Sequence, residues 1–334
     1  MTRNLYLGAD LTPVLSALTP EQLAPLAGTV WRDAQASRFP ERAAALAQEI
    51  AAYDPDVLCL QEVSLYRTQT RGDWQSGSPP DATDVQLDFL TLLQNELESA
   101  GRTYRTVSVG TNADEELPAS LDGVTFDVRL TDRDVILVRD DVTATAGPGE
   151  IFPSALKTPA GGAGGTTLTF RRGFVTADVT VGGKTVRVIN SHLEVGVLNG
   201  LTQERQAREL IERIGPHPGP AILAGDFNSP PDGSGTRSYA LLTTDSGLDR
   251  PFRDTYPFRR PDRTTSVPKP QPPYEGTCCI GLTADEASPG SRIDLILFRD
   301  SAYPVDGVIV APVRTADGLW SSDHLGYFAQ LQFH

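Results

Sequence analysis

Asp226 and Asn228 close an apolar run, residues 221–224, that reads as a buried strand stopped by Gly225 and by the turn-forming stretch Ser229-Pro230-Pro231-Asp232-Gly233. Residues two apart on an extended backbone point the same way, so a carboxylate and an amide share one face there. Their oxygens are ligands for a hard cation, and the amide N–H₂ can hold a phosphate or water oxygen. One such pair is as readily a turn former as a ligand. The same ending recurs, however, at Asn4, at Glu62, at Asn190 with His192, at Asp294, and at Asp323 with His324. Two of the chain's four histidines fall in this set.

Taken singly, each has a structural reading. Glu62 would be the first solvated residue after a strand, His192 a satisfied core histidine, Asp294 a partner of Arg292, and Asp323-His324 a turn. Taken together, carboxylates, amides and imidazoles at successive strand ends are the inventory of metal-assisted hydrolysis.

The elements that must position these residues follow from periodicity. Strands are predicted at 1–7, 56–62, 104–109, 133–139, 293–298 and 326–333. A hairpin is predicted from 174–181 and 185–192, turning at Gly182-Gly183. Helices are predicted at 40–53, with Pro40 in the first turn, at about 85–99, and at about 202–214. Residues 12–39 read as a loop with a short helix, while 72–80, 160–165 and 259–275 read as loops. No repeat or domain-sized linker interrupts the 334 residues. One α/β domain over 1–334, two stacked sheets with flanking helices, is the expected architecture.

Composition narrows the function. The net charge is −14, and lysines number three (Lys157, Lys184, Lys269) among 29 basic residues. The chain therefore lacks an overall basic footprint for nucleic acid, which lowers the expectation of a nuclease without excluding it. No apolar run reaches the length of a membrane span. Met1 stands directly before the first strand, an abrupt start that suggests upstream sequence such as the signal peptide of a secreted protein. Cys59 reads as a buried free thiol; Cys278 and Cys279 read as two free thiols, with a vicinal disulfide the less favoured alternative.

Six motifs in this chain resemble those of the endonuclease/exonuclease/phosphatase superfamily, which includes deoxyribonuclease I, abasic-site endonucleases, neutral sphingomyelinases and inositol-polyphosphate phosphatases. They are Thr2-Arg3-Asn4-Leu5, Leu60-Gln61-Glu62-Val63, Asn190-Ser191-His192-Leu193, Gly225-Asp226-Phe227-Asn228, Arg292-Ile293-Asp294 and Ser322-Asp323-His324, in the family's order. The resemblance implies a four-layered α/β sandwich and a divalent cation, Mg²⁺ or else Mn²⁺ or Ca²⁺. Glu62 would be the main metal ligand, with Asn4 and Asp323 completing or supporting the shell. Asp226 would orient or deprotonate the attacking water, and Asn228 would hold the phosphate. His324, positioned by Asp294, would be a general base or phosphate clamp, and His192 would donate to phosphoryl oxygens or the leaving group. Asp132 would stand behind His192, with Asp134 equally near.

Departures accompany the match. Leu130 occupies the place where many nucleases of the superfamily carry a phosphate-contacting tyrosine. No basic, aromatic-interleaved groove is visible, and Arg259, Arg260 and Arg263 make only a small cluster. The expected partner is a phosphoester, most simply a phosphodiester in a small molecule or lipid head group. A deoxyribonuclease-like endonuclease on DNA or RNA and a non-catalytic binding protein on the same fold are the alternatives.

Overall fold

Apolar residues fall into three buried layers, and these fix the architecture. The computed structural model describes residues 1–258, 275–300 and 302–333. Arg259, Arg260 and Arg263, and the loop expected around them, lie outside the described residues.

One sheet contains β1 (Thr2–Asn4), β2 (Val57–Gln61), β3 (Leu65–Thr70), β4 (Asp84–Asp88), β5 (Tyr104–Leu121), β6 (Val124–Arg139), β16 (Ala302–Ile309) and β17 (Tyr327–Phe333). The second contains β7 (Thr143–Ala146), β8 (Glu150–Ile151), β11 (Gly173–Val181), β12 (Lys184–His192), β13 (Ala221–Asp226), β14 (Arg253–Asp254) and β15 (Asp294–Arg299). A separate hairpin joins β9 (Leu156–Ala160) to β10 (Thr166–Phe170). The helices are α1 (Thr12–Leu15), α2 (Pro20–Ala36), α3 (Phe39–Tyr53), α4 (Phe89–Ser99), α5 (Gly196–Ile214) and α6 (Ser238–Leu242).

Helices α2, α3 and α4 cover the outer face of the first sheet through Leu23, Trp31, Leu46, Ile50 and Leu93. Helix α5 covers the second through Ala207, Leu210 and Ile214. Between the sheets, Ile136 and Val138 pack with Val175, Ala177 and Val188. Layers of helix, sheet, sheet and helix make the expected four-layered α/β sandwich. No helix among the described residues is long and apolar enough to cross a membrane.

Several boundaries differ from the sequence expectation for identifiable reasons. The stretch 12–39 is mostly the 17-residue helix α2. Its prolines and glycine mimic loop punctuation, yet Pro20 sits at the first helical turn and the Gln22 side-chain Oε1 accepts from the Thr19 N–H at 3.3 Å. Gly28 lets the helix approach the sheet: a Cβ there would lie 2.1 Å from the Ser120 carbonyl oxygen. The helix expected at 85–99 divides into β4 and α4. The strands expected at 104–109 and 133–139 are the ends of the long hairpin β5–β6, which turns at Asp122-Gly123 with φ +51° and +79°. Helix α5 begins earlier than expected, at Gly196. The glycine-rich 160–165 stretch forms the turn of the β9–β10 hairpin, with the Gly161 N–H donating to Ala17 O at 3.0 Å.

Gly28→Ala is expected to cost about 1–3 kcal/mol of stability by overpacking the α2–β5 contact. Gly290→Ala, where a Cβ would meet nothing within 4 Å, is the near-neutral control. Urea unfolding of the two variants measures the difference.

Candidate active site

Strand register brings the polar strand ends into one row. β12 and β13 are parallel with His192 opposite Asp226, and β13 and β15 are antiparallel with Asp226 opposite Asp294. The three residues therefore project from the same edge of the second sheet on the same face. Gly225 permits the tight spacing: its φ is +153°, and a Cβ would fall 1.9 Å from Ser191 O. On the facing sheet, Asn4 pairs with Gln61 in the parallel β1–β2 ladder, and Glu62 follows.

Amide side chains then tie the sheets together. The Asn4 Nδ2 donates to Glu62 Oε1 and to Asp226 Oδ2, both at 3.1 Å. Just below, the Asn190 Nδ2 donates to Leu60 O at 2.9 Å and Val135 O at 3.0 Å, while Gln61 Nε2 donates to Asn190 Oδ1 at 2.6 Å. Asn190 is thus an inter-sheet fastener, although it shares strand parity with His192.

The strand exits are strained. Tyr6, Glu62 and Asn228 have φ of +61°, +55° and +48°, a region that costs side-chain-bearing residues energy and clusters at functional sites. This backbone turns Glu62 inward, where its second oxygen accepts from the Leu7 N–H at 2.6 Å. It also corrects the expectation that Asp226 and Asn228 meet through strand pleating. The strand ends at Asp226, whose Oδ1 accepts from the Asn228 N–H at 2.9 Å, and the turn carries the Asn228 amide to 3.2 Å from His192 Nε2.

His324 faces the row from the first sheet's side. Its Nδ1 lies 2.9 Å from Asp294 Oδ2 and 3.8 Å from Asp226 Oδ2. Asp294 therefore partners His324, and Arg292 pairs instead with Asp254 at 2.5 Å. Burial opposes charge on the His324 ring, but Asp294 and Asp323 outweigh it and hold the imidazole well above its usual pKa.

The backbone behind His324 is gripped from two sides. Buried Arg3 donates to His324 O and, at 2.8 Å, to Ser321 Oγ, with Glu49 as its counter-charge at 2.9 Å. Arg42 donates to Leu5 O at 2.7 Å and Ser321 O at 3.0 Å. On the other side, the Cys279 and Ile280 N–H groups donate to Asp323 O at 2.9 and 2.8 Å. Thr277 Oγ1 accepts from the Ile293 and Asp294 N–H groups at 3.1 Å. Cys278 and Cys279 form a vicinal disulfide, contrary to the two free thiols expected, whereas Cys59 is buried and unbridged.

His192 has the opposite backing. Its Nδ1 lies 2.9 Å from Arg172 Nη1, and Asp132 Oδ2 accepts from the same Nη1 at 3.3 Å. Asp132 therefore reaches His192 only through Arg172, which corrects its expected place directly behind the ring. Glu194 Oε1 lies 3.7 Å from Arg172 Nη2. Burial and the guanidinium push His192 well below its usual pKa. Arg172 and Glu194 stand at the candidate site and were missed by the sequence reading. Their available signals were position alone: Arg172 precedes the strand paired to that of His192, and Glu194 lies two residues beyond it. Asp134 is also buried here, its carboxyl pushed well up by burial and by Asp132. Leu130 packs against the first hydrophobic layer.

The donor set fits a hard divalent cation. Ligand atoms of Asp226, Asp294 and His324, the last a ligand only when its ring is unprotonated, lie within 4.8 Å of one another, and buried Asp294 Oδ1 has no hydrogen-bond partner among the described residues. Burial, with neighbouring carboxylates, raises Glu62 to about 7 and Asp226 to about 6, and raises Asp323. Like charges crowded between oxygens and one imidazole are what Mg²⁺, Mn²⁺ or Ca²⁺ would offset.

A folded-state pKa of about 7 for Glu62, against 4.5 unfolded, means that the metal-free fold keeps a proton the unfolded chain releases. Its contribution is fully present below pH 4.5 and is lost as pH rises through about 7. Glu62→Gln is therefore expected to stabilise the metal-free protein at pH 7.5, by on the order of 1 kcal/mol after allowance for solvent screening. The same variant is expected to weaken the Mg²⁺-induced rise in thermal midpoint, and calorimetry with and without Mg²⁺ checks both.

Comparison with known proteins agrees with this geometry. The Endonuclease/Exonuclease/phosphatase family matches residues 16–324. No curated protein sequence matches. Among solved structures, an endonuclease/exonuclease/phosphatase family protein from Leptotrichia buccalis is 14% identical, covering 88% of this chain and 93% of its own, with a TM-score of 0.52. An endonuclease/exonuclease/phosphatase from Bacteroides vulgatus is 16% identical, covering 100% and 97%, with a TM-score of 0.52. A mannosyl-6-phosphatase of Bacteroides thetaiotaomicron is 19% identical, covering 88% and 92%, with a TM-score of 0.51. At these identities the structures establish likeness of fold, and the family match supplies the rest. With that match spanning nearly the whole chain and the strand-end motifs assembled in one cluster, the chain belongs to the endonuclease/exonuclease/phosphatase family.

Proposed function

We propose that this chain is a divalent-metal-dependent phosphoesterase that hydrolyses a phosphodiester of a small molecule or lipid head group. The observation that carries the reading is the Asp226 carboxylate set between two histidines, 3.7 Å from His192 Nε2 and 3.8 Å from His324 Nδ1, beneath a cluster of oxygen donors. Glu62, with Asp323 and Asn4 in support, would hold the cation, which supplies Lewis-acid stabilisation of phosphoryl charge.

The protein's own groups then divide the work. Asp226 orients a water and accepts its proton, because its raised pKa, to about 6, makes it a better base than an ordinary aspartate. His324, kept protonated by Asp294, stabilises the anionic phosphoryl oxygens. Asn228 holds the phosphate with its amide. Asp294 orients His324, and Asp132 anchors Arg172.

The small-substrate reading is favoured by charge. The chain carries −14, and on the His192 side of the site the Arg172 charge is countered by Asp132 and Glu194. That balance leaves no excess positive charge there to draw in a polyanion, whereas a single phosphodiester needs none. The mannosyl-6-phosphatase among the structural neighbours is consistent with a small phosphoester in this fold. Efficient nicking of supercoiled plasmid would instead select the endonuclease, and absence of any turnover would select a binding protein.

Release of aryl alcohol from a bis-aryl phosphate and of head group from a phospholipid is expected with Mg²⁺ and is expected to stop with chelator. Asp226→Ala and His324→Ala are each expected to lower kcat by about 10²–10⁴-fold. Normal turnover in either variant would refute the site assignment.

A further inference from the structure

We infer that Arg172 is a positioning residue that fixes His192 in its Nε2–H tautomer, so that His192 meets the substrate as a neutral hydrogen-bond donor and not as an acid or base. The functional part of this inference rests on the phosphoesterase reading, whereas the tautomer does not.

A guanidinium has donors only and stays protonated in proteins. With Arg172 Nη1 2.9 Å from His192 Nδ1, that ring nitrogen must present its lone pair. The ring proton then lies on Nε2. An imidazolium would set N–H against N–H, and burial and the neighbouring guanidinium both oppose it. The guanidinium is kept in place by Asp132 at 3.3 Å and by Glu194 at 3.7 Å. Glu194 is itself only 2% exposed; its Oε1 accepts from the Val195 N–H at 2.9 Å, and its N–H donates to Gln206 Oε1 at 2.8 Å.

The other side of the ring shows what the N–H is free to do. Asp226 Oδ2, at 3.7 Å, is beyond hydrogen-bond distance from Nε2. The Asn228 Nδ2, 3.2 Å from Nε2, competes for the same ring with its second N–H, the first going to Leu193 O at 3.0 Å; the longer contact of a neutral amide yields to the charged guanidinium at 2.9 Å. Among the described residues Nε2–H then has no acceptor within hydrogen-bond distance, and a phosphoryl oxygen placed between Asp226 and the Asn228 amide would accept from both the ring and the amide. His324 has the reverse arrangement, a carboxylate at Nδ1. The bland alternative is that Arg172 only neutralises Asp132 and Glu194, and it makes no demand on the His192 tautomer.

Long-range ¹H–¹⁵N correlation on the full, metal-free chain at pH 7 separates the two. Four histidines give a tractable spectrum, and loss of one pattern in His192→Ala assigns it. The expected His192 pattern has Nε2 protonated and Nδ1 bare. A protonated Nδ1 in the wild-type chain would overturn the inference, whether or not the enzyme turns over. Arg172→Gln is expected to mix the tautomers and to lower kcat about 10–100-fold, leaving KM within about threefold. Arg172→Lys, which still offers only donors, is expected to retain the Nε2–H pattern. If Arg172→Gln does not fold, the wild-type spectrum decides alone. A wild-type chain with the Nε2–H pattern and no phosphoesterase turnover would refute the functional reading and leave the tautomer assignment standing.

Discussion

Mutual repulsion among crowded carboxylates, two of them buried and two half-buried, is the constraint around which this structure is arranged. Glu62, Asp226, Asp294 and Asp323 come from four separate segments, and a fold driven by burial alone would separate them. They stay together because the surrounding backbone is held by groups with no freedom to yield. The Asn4 amide bridges Glu62 and Asp226 across the two sheets, while Asn190 and Gln61 lock the sheets just beneath. Arg3 and Arg42, both fully buried, fasten the segment that carries Asp323 and His324 to the first strand and to helix α3. The left-handed backbone at Glu62, Tyr6 and Asn228 is part of the same cost.

Within that frame the two histidines are made chemically unlike by what stands behind them. A carboxylate behind His324 favours its charged form; a guanidinium behind His192 forbids it. Environments that drive two like groups apart are how one site obtains separate chemical roles at a single pH. Both rings face Asp226, and strand register alone puts His192, Asp226 and Asp294 in line.

Much of this was legible in the sequence because strand ends are local signals. Apolar runs stopping at Gln61-Glu62, Ser191-His192 and Gly225-Asp226 announced both the strands and the polar groups delivered at their tips. The partners were not legible, since Arg172 meets His192 only through the β11–β12 pairing, and its neighbour Arg171 is exposed with the same letter in the sequence. Asp132 was legible as a nearby acid but not as the anchor of an intervening arginine. Helix α2 was obscured by Pro20, Pro25 and Gly28, whose tolerance depends on a helix start and on a close contact with Ser120 that only the tertiary structure supplies. The central part of the β5–β6 hairpin was obscured by its polar, partly exposed residues, which lack the apolar alternation of a half-buried strand.

The disulfide between Cys278 and Cys279 joins adjacent residues, so it encloses no length of chain and removes almost no entropy from the unfolded state. It is not a staple in the sense that disulfides of small secreted domains are. Its reach is local: the N–H groups of Cys279 and Ile280 carry the Asp323 carbonyl, one residue before His324. A melting curve is thus a poor instrument for asking whether this bond is closed. A thiol reagent that opened this bond would act on the backbone that carries the Asp323 carbonyl, and two preparations equal in stability need not be equal in the geometry they present to a substrate.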